Sequence, residues 1–104
     1  RGALPDVVLC RNDNWAIGAL SACSEAGLRV PKDIAFTGFD NEKVGEFSMV
    51  PLTTVALPIE AMARKAVSAL VALARGQAFP DSEQPVKIPC ELVVRQSCGA
   101  NARK

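Results

Sequence analysis

Val7–Asn41 is the stretch that decides the fold, with the sequence VVLCRNDNWAIGALSACSEAGLRVPKDIAFTGFDN. It begins with a continuously apolar run, Val7–Cys10, which is typical of a parallel strand that is buried on both faces. Polar residues and an apolar stripe at helical spacing follow, and then a second apolar run, Ile34–Phe39. A strand, a helix and a strand in this order predict a βαβ unit of an α/β protein, so the two strands are parallel. Their carboxyl ends are therefore expected at one edge of the same sheet.

The helix inside this unit is predicted over Trp15–Ala26. It follows Asn12–Asn14, whose short polar side chains suit the free N–H groups at a helix start, and the charge of Asp13 complements the helix dipole. Gly27 predicts a left-handed residue just past the helix, with Leu28 placed for the apolar contact of a Schellman-type end. The positions that form a roughly helical apolar stripe on this helix are Ile17, Leu20, Cys23 (or Ser24) and Ala26.

Beyond this stretch the sequence predicts a loop, a strand and a second helix. The loop covers residues 40–51 and contains a short helical turn around Val44–Phe47. The β-branched segment Leu52–Val55 predicts a strand, and Pro58 suits the first turn of a helix. Apolar residues recur at helical spacing to about Arg75, where Gly76 closes the helix. In this chain by itself, we expect that apolar face to be exposed or to be buried against another copy.

The last third of the chain predicts weaker structure. A polar loop, Gln77–Pro85, leads into two strand candidates, Val86–Ile88 and Glu91–Arg95. Pro89 lies between them and indicates an edge or a bend, because proline has no N–H to donate to a sheet. The tail Ser97–Lys104 is expected to be frayed.

Composition excludes several classes of protein. Of the 104 residues, 49% are hydrophobic, which is enough for a core, and 12 basic residues balance 11 acidic ones. This balance argues against a nucleic-acid-binding surface on the chain itself. No apolar run approaches the length of a membrane span, and Arg1–Pro5 lacks the form of a signal peptide. The four cysteines form no C-x-x-C pair, so we expect free thiols in a reducing compartment.

Ligands of open parallel sheets bind outside the carboxyl ends of the strands. Two polar clusters are predicted there, Arg11–Asp13 after the first strand and Asp40–Asn41 after the second. Their carboxylates and amides could hydrogen-bond the hydroxyls of a small polar solute. The alternative is that Asn12 and Asp13 only cap the helix, and that Asp40–Asn41 only makes a turn.

The sequence does not favour an enzyme, a metalloprotein or a cofactor-binding protein. It contains no histidine, which removes the commonest general base and the commonest metal ligand. It also has no G-x-S-x-G motif and no glycine-rich phosphate loop. We therefore expect a binding module without a metal or a cofactor.

Five segments, in order, resemble the signatures of the LacI/GalR family of transcriptional regulators. The first, Asn12–Leu20, is similar to N-D-x-x-A-x-G-A-L, and 26–34 is similar to the G-L-R-V-P-x-D turn. Gly38–Asn41 is similar to G-[FY]-D-[DN], and Pro51–Val55 to the family's L-T-T segment. Glu91–Ser97 resembles the closing E-L-[VI]-x-R-x-S. The resemblance covers residues 5–99.

This resemblance implies a fragment of a type I periplasmic-binding-protein-like fold. Residues 1–99 would be the C-terminal portion of the effector-binding domain, and 100–104 a disordered tail. The helix-turn-helix domain and most of the N-terminal lobe would lie outside this chain. The family pattern implies that Asn12 and Asp40 contact the effector, with Asp13 beside the cleft as a third effector-site residue.

The resemblance also implies a dimer interface. It would involve the helix after Asn12–Asp13 and the loop before Leu52. The alternative for the apolar members is packing within the chain. The residues expected at the interface are Trp15, Ile17, Leu20, Ser21, Phe47, Ser48, Met49 and Val50.

The function implied is that of a cytoplasmic LacI-family regulator. Its partners would be a small effector (a sugar, a sugar acid or a nucleobase), one or more further copies of the chain, and operator DNA through the helix-turn-helix domain. No membrane contact is expected. The alternative is a solute-binding protein of a transport system, which shares the fold.

Overall fold

The computed structural model describes residues 2–78 and 86–102, which belong to two compact units. The first unit consists of the residues up to Ala56 together with those from Glu91 onward, and the second unit is Leu57–Cys90. Within the described residues, none of the helices combines the length and the apolar character of a segment that crosses a bilayer.

The first unit is built on a βαβ arrangement. Strands β1 (Val7–Leu9) and β2 (Ala35–Thr37) pair in parallel, and helix α1 (Asp13–Glu25) connects them, which confirms the predicted topology. Both strands are shorter than the apolar runs Val7–Cys10 and Ile34–Phe39. The hydrogen-bonded pairing of the two strands ends early because each strand leads into a polar loop at the carboxyl edge of the sheet.

Helix α1 has the expected caps at both ends. Asn12 is the N-cap, and its Oδ1 accepts a hydrogen bond of 3.0 Å from the backbone N of Trp15. The helix therefore starts at Asp13 and not at Trp15 as predicted. At the other end Gly27 has a φ of 72°, and the N–H of Leu28 donates to the carbonyl of Cys23 at 2.8 Å, which confirms the Schellman-type end.

The core of the first unit lies between α1 and the sheet. The helix contributes the positions 13, 16, 20 and 23, a spacing of three and four residues that keeps them on one face. The predicted stripe was partly wrong, because Ala16 and not Ile17 is fully buried and Ala26 is exposed at the helix end. The buried apolar residues are Ala16, Leu20, Cys23, Ile34, Phe36 and Leu52.

A second pair of strands completes this unit. Strands β3 (Thr54–Ala56) and β4 (Glu91–Val93) are antiparallel, and a parallel bridge from Thr37 to Thr53 joins β3 to β2. The predicted turn in the loop forms the short helix α2 (Lys43–Glu46).

Two predictions for the last part of the chain are wrong. Val86–Ile88 is irregular, and within the described residues no strand pairs with it. Ser97 is fully buried and does not fray, because its Oγ donates to the carbonyl of Phe36 at 2.7 Å and accepts from the N–H of Thr53 at 2.8 Å. Ala100–Ala102 form a short 3-10 helix. The disorder expected for 100–104 stays a prediction, and residues 103–104 and residues 79–85 of the polar loop lie outside the described residues.

The second unit is dominated by helix α3 (Ile59–Ala74), close to the predicted limits. It ends at Gly76, where φ is 71° and Gln77 N donates to the carbonyl of Ala72 at 2.9 Å. No residue of α3 is buried, and both Ile59 and Leu70 are 67% exposed. The chain by itself therefore leaves the apolar face of this helix open.

Candidate effector-binding site

The two polar clusters predicted at the carboxyl edge of the sheet lie together. The N–H of Asp13 donates to the carbonyl of Phe39 at 3.0 Å, which joins the loop after β1 to the loop after β2. Asn12 precedes the donor of this bond, and Asp40 follows the acceptor. Sheet topology thus brings both predicted effector contacts to one edge, as the sequence indicated.

Asp13 is the anchor of this edge. Its side chain is completely buried, and its Oδ1 accepts a 2.6 Å hydrogen bond from the Oγ1 of Thr54 while Oδ2 accepts a 2.7 Å bond from the N–H of Glu42. A Cβ atom at Gly38 would overlap Asp13 Oδ1, so the close approach of the two segments requires glycine there. Both carboxylate oxygens are therefore engaged within the protein.

Asn12 keeps one polar group for another partner. Its Oδ1 caps α1 through the N–H of Trp15, as described above, and its side chain is half-buried. Among the described residues, the Nδ2 group of Asn12 has no hydrogen-bond acceptor. Capping and ligand binding are thus compatible for this residue, because they use different atoms.

Asp40 and Asn41 have backbone conformations that L-residues rarely adopt. Their φ angles are 106° and 56°, in the left-handed region that costs free energy for most residues and that glycine, asparagine and aspartate tolerate best. The Asp40 N–H donates to the carbonyl of Val55 at 3.0 Å, and the Asn41 N–H donates to Thr54 Oγ1 at 3.2 Å. Within the described part of the chain, the carboxylate of Asp40 has no hydrogen-bond donor. Strained backbone of this kind is concentrated at binding sites.

Sequence reasoning did not identify Arg95 or Thr54 as members of this edge. The Arg95 guanidinium donates from Nη2 to Asn41 Oδ1 at 2.8 Å and from Nη1 to the carbonyl of Leu52 at 3.0 Å. Both residues lie in the segments that resemble the family's signatures, and this was the signal that could have marked them. Their partners are 41 and 54 residues away along the chain, which no local pattern shows.

The residues expected at a dimer interface divide into two groups. Trp15 is 63% exposed, Phe47 80% and Met49 76%, so packing within this chain does not cover them. Leu20 is 5% exposed and belongs to the core between α1 and the sheet. Its side chain is therefore already used for intrachain packing, and its place at an interface stays a prediction. The other expected interface residues are partly or largely exposed: Ile17, Ser21, Ser48 and Val50.

Other candidate chemistry is sparse. Among the described residues, no group of three carboxylate or thiol side chains could hold a metal ion. All four cysteines are free thiols, and burial raises the pKa of Cys10. A groove of about 630 Å³ lies in the second unit, and its apolar lining includes Met62, Leu70 and Ile88. Arg64, Lys65 and Ser68 also border it, but its described lining has no carboxylate or amide side chain like those of Asp40 and Asn12, so we do not regard it as the solute site.

Comparison with known proteins identifies the family of this chain. Residues 1–98 match the periplasmic binding protein-like domain family. The HTH-type transcriptional repressor MelR of Bacillus subtilis is 42% identical over the whole chain, which spans 29% of MelR.

Solved structures give the same result. A LacI family transcriptional regulator of Arthrobacter sp. FB24 in complex with lactose is 38% identical, with a TM-score of 0.75 over 89% of this chain and 35% of that one. The Lac repressor dimer bound to operator and the anti-inducer ONPF is 33% identical, with a TM-score of 0.81 over 91% of this chain and 28% of that one. The chain therefore belongs to the periplasmic binding protein-like domain family and corresponds to a part of that domain in LacI-family regulators.

Proposed function

We propose that this chain is the effector-binding part of a LacI-type, DNA-binding transcriptional regulator. The observation that carries the proposal is the Asp40 carboxylate, which is held at the carboxyl edge of the sheet without a donor among the described residues. Asn12 lies on the adjoining loop, and its amide N–H group has no acceptor within residues 2–78 and 86–102. The similarity to a regulator that holds lactose favours a sugar as effector, with sugar acids and nucleobases as further candidates.

The chemistry of these two groups suits a polyhydroxyl ligand. An ionised carboxylate accepts charge-assisted hydrogen bonds from hydroxyl groups, and an amide N–H donates to a ring or hydroxyl oxygen. Asp13 was expected to be a third effector-site residue. Because both of its oxygens are bonded inside the protein, we propose that it positions the two loops and does not contact the effector.

Regulation would follow from the coupling between effector binding and the conformation of the domain. An effector that binds one conformation of the domain more tightly than another shifts the equilibrium between them by its difference in binding free energy. Operator affinity would change with that equilibrium through a DNA-binding domain outside this chain. The proposal implies a non-enzymatic, cytoplasmic protein, and the similarity to repressors favours it over a transport protein.

Substitution of Asp40 tests this proposal. A thermal-shift screen of sugars, sugar acids and nucleobases on the full chain, starting with lactose, identifies a ligand. We expect Asp40→Ala to weaken its binding by about 1.5–3 kcal/mol in calorimetry, since a hydrogen bond to a charged group is lost.

The matched control is Asp6→Ala, which removes an exposed carboxylate just before β1, at the opposite end of the strand. It should leave the affinity unchanged. Equal affinities for the wild type and for Asp40→Ala would refute the proposed role of Asp40.

We also propose that the regulator is a homodimer or a higher homo-oligomer. The support is the exposed apolar set formed by Trp15, Phe47 and Met49. Buried aromatic anchors dominate the binding energy of protein interfaces. The double substitution Phe47→Ser and Met49→Ser should therefore raise the dissociation constant of the dimer at least about tenfold in sedimentation experiments. Unchanged self-association would show that this surface is not the interface.

A further inference from the structure

Arg95 connects the end of β4 to the loop that carries Asp40. Its guanidinium donates to two acceptors on different segments, the Leu52 carbonyl at 3.0 Å and Asn41 Oδ1 at 2.8 Å. Its own backbone N–H donates to Thr53 Oγ1 at 2.9 Å, which fixes the start of the side chain. Arg95 is half-buried, so water competes less with its bond to the Leu52 carbonyl than at an open surface, whereas its bond to Asn41 is exposed.

The Asp40 loop depends on contacts from outside itself. Three successive backbone N–H groups, those of Asp40, Asn41 and Glu42, donate to Val55 O, Thr54 Oγ1 and Asp13 Oδ2. These bonds hold the backbone. The side chain of Asn41 is held by Arg95, and among the described residues that is its only hydrogen bond.

The guanidinium suits this double contact for a geometric reason. It presents several N–H donors in one rigid plane, so it can bind two acceptors on different segments at the same time. A lysine ammonium keeps the charge but is a compact point on a flexible stem. Arg95→Lys therefore removes the geometry of the contact and preserves its charge.

We propose that Arg95 is a positioning residue of the effector site. It hydrogen-bonds Asn41 and Leu52 at the same time. These two bonds keep Asp40–Asn41 in the left-handed conformation that presents the Asp40 carboxylate at the sheet edge. The effector need not touch Arg95. This inference rests on the proposed function, because it concerns the residue that would bind the effector.

Amide hydrogen exchange of the full chain without ligand tests the positioning role. In Arg95→Lys, exchange at Asp40, Asn41 and Glu42 should become at least about tenfold faster, since the local opening free energy falls. Exchange at Cys10 and Ala35, which bond across β1 and β2, should not change. A uniform increase over all five amides, or no increase at any of them, would overturn the proposal.

Three further variants isolate the contact. Asn41→Ala should give a local increase in exchange at least as large as that of Arg95→Lys, because alanine also disfavours the positive φ of this position, and adding Arg95→Lys to it should change little. Asn41→Asp keeps an acceptor for Arg95 and tolerates a positive φ, so it should retain wild-type exchange. The matched control is Arg64→Lys, which alters an exposed arginine that pairs with Glu60 at 2.9 Å on α3 and should leave the loop unaffected.

Calorimetry with lactose separates this inference from the proposed function. If Asp40→Ala and Arg95→Lys both weaken lactose binding, by about tenfold or more, both proposals are supported. If Asp40→Ala weakens binding and Arg95→Lys does not, the positioning role fails while the proposed function stands. If Asp40→Ala has no effect on binding, the proposed function fails, and the exchange experiment still decides whether Arg95 holds the loop.

Discussion

Helices α1 and α3 both carry apolar residues at helical spacing, yet the two helices lie in different environments. In the first unit, α1 buries Ala16 and Leu20 against a sheet that also receives Leu52. In the second unit, α3 has no buried residue, and its large apolar side chains are exposed. Periodicity therefore predicts where a helix forms, whereas its partners decide whether that helix contributes to a core.

Polar contacts show the same contrast. The first unit holds fully buried polar side chains, and each is paired across long stretches of chain, as in the bonds of Asp13 with Thr54 and of Ser97 with Phe36. On α3, Arg64 and Glu60 form a local and exposed ion pair of the kind that contributes little to stability. We infer that the first unit is the cooperative part of this chain.

The largest expected difference between the units is in the free energy of unfolding after truncation of a leucine. Leu52 is fully buried, so Leu52→Ala should cost about 2–5 kcal/mol through lost burial and a new cavity. Leu70→Ala on α3 is the matched control. It should change the free energy of unfolding by less than about 0.5 kcal/mol, since the side chain is exposed and leucine and alanine both favour helices. Urea unfolding followed by circular dichroism measures both. Equal losses would show that another copy buries the face of α3 in solution.

A smaller effect is expected from adding one methyl group. Gly38→Ala would force a Cβ onto Asp13 Oδ1 and to 2.9 Å from Leu52 Cδ2, and should cost about 1–3 kcal/mol. Gly18→Ala, in the middle of α1 where the new Cβ would meet nothing within 4 Å beyond its chain neighbours and the helix's own backbone, should stabilise by up to about 1 kcal/mol. Thermal unfolding gives both values. A neutral Gly38→Ala would contradict the close approach of Asp13 to the loop after β2.

The smallest expected effect concerns thiol reactivity. Burial raises the pKa of Cys10 in the first unit, so a smaller fraction of it is thiolate at pH 8 than for an unshifted thiol. Cys90 in the second unit is exposed. Iodoacetamide should therefore alkylate Cys10 more slowly than Cys90, and the gap should narrow as the pH rises toward the pKa of Cys10. Mass spectrometry of timed samples measures both rates, and faster labelling of Cys10 would contradict its burial.

Local sequence patterns predicted what depends on neighbouring residues. The cap at Asn12, the left-handed Gly27 and the two parallel strands of the βαβ unit follow from rules that act over a few residues or one crossover. The position of Asp40 at the sheet edge followed from the same topology. Strand limits were less accurate, because pairing partners and not apolar runs determine where a ladder stops.

Long-range contacts lay beyond those patterns. Thr54 bonds Asp13, which is 41 positions away along the chain, and Arg95 bonds Asn41, which is 54 positions away. Ser97 bonds Phe36 over a separation of 61 positions. Such hydrogen bonds depend on how segments meet in three dimensions, so neither propensity nor spacing predicts them. The buried carboxylate of Asp13 illustrates the consequence, because only the folded chain shows that it is satisfied internally.

In the proposed function, the carboxyl edge of the sheet at Asp40 and Asn12 binds a small polar solute. The most direct measurement is a crystal structure of the full chain with the ligand that gives the largest thermal shift. We expect ligand hydroxyl or ring oxygens within hydrogen-bond distance of the Asp40 carboxylate and of Asn12 Nδ2, with Asp13 still bonded to Thr54. A ligand bound away from these two groups, such as in the groove of α3, would contradict it.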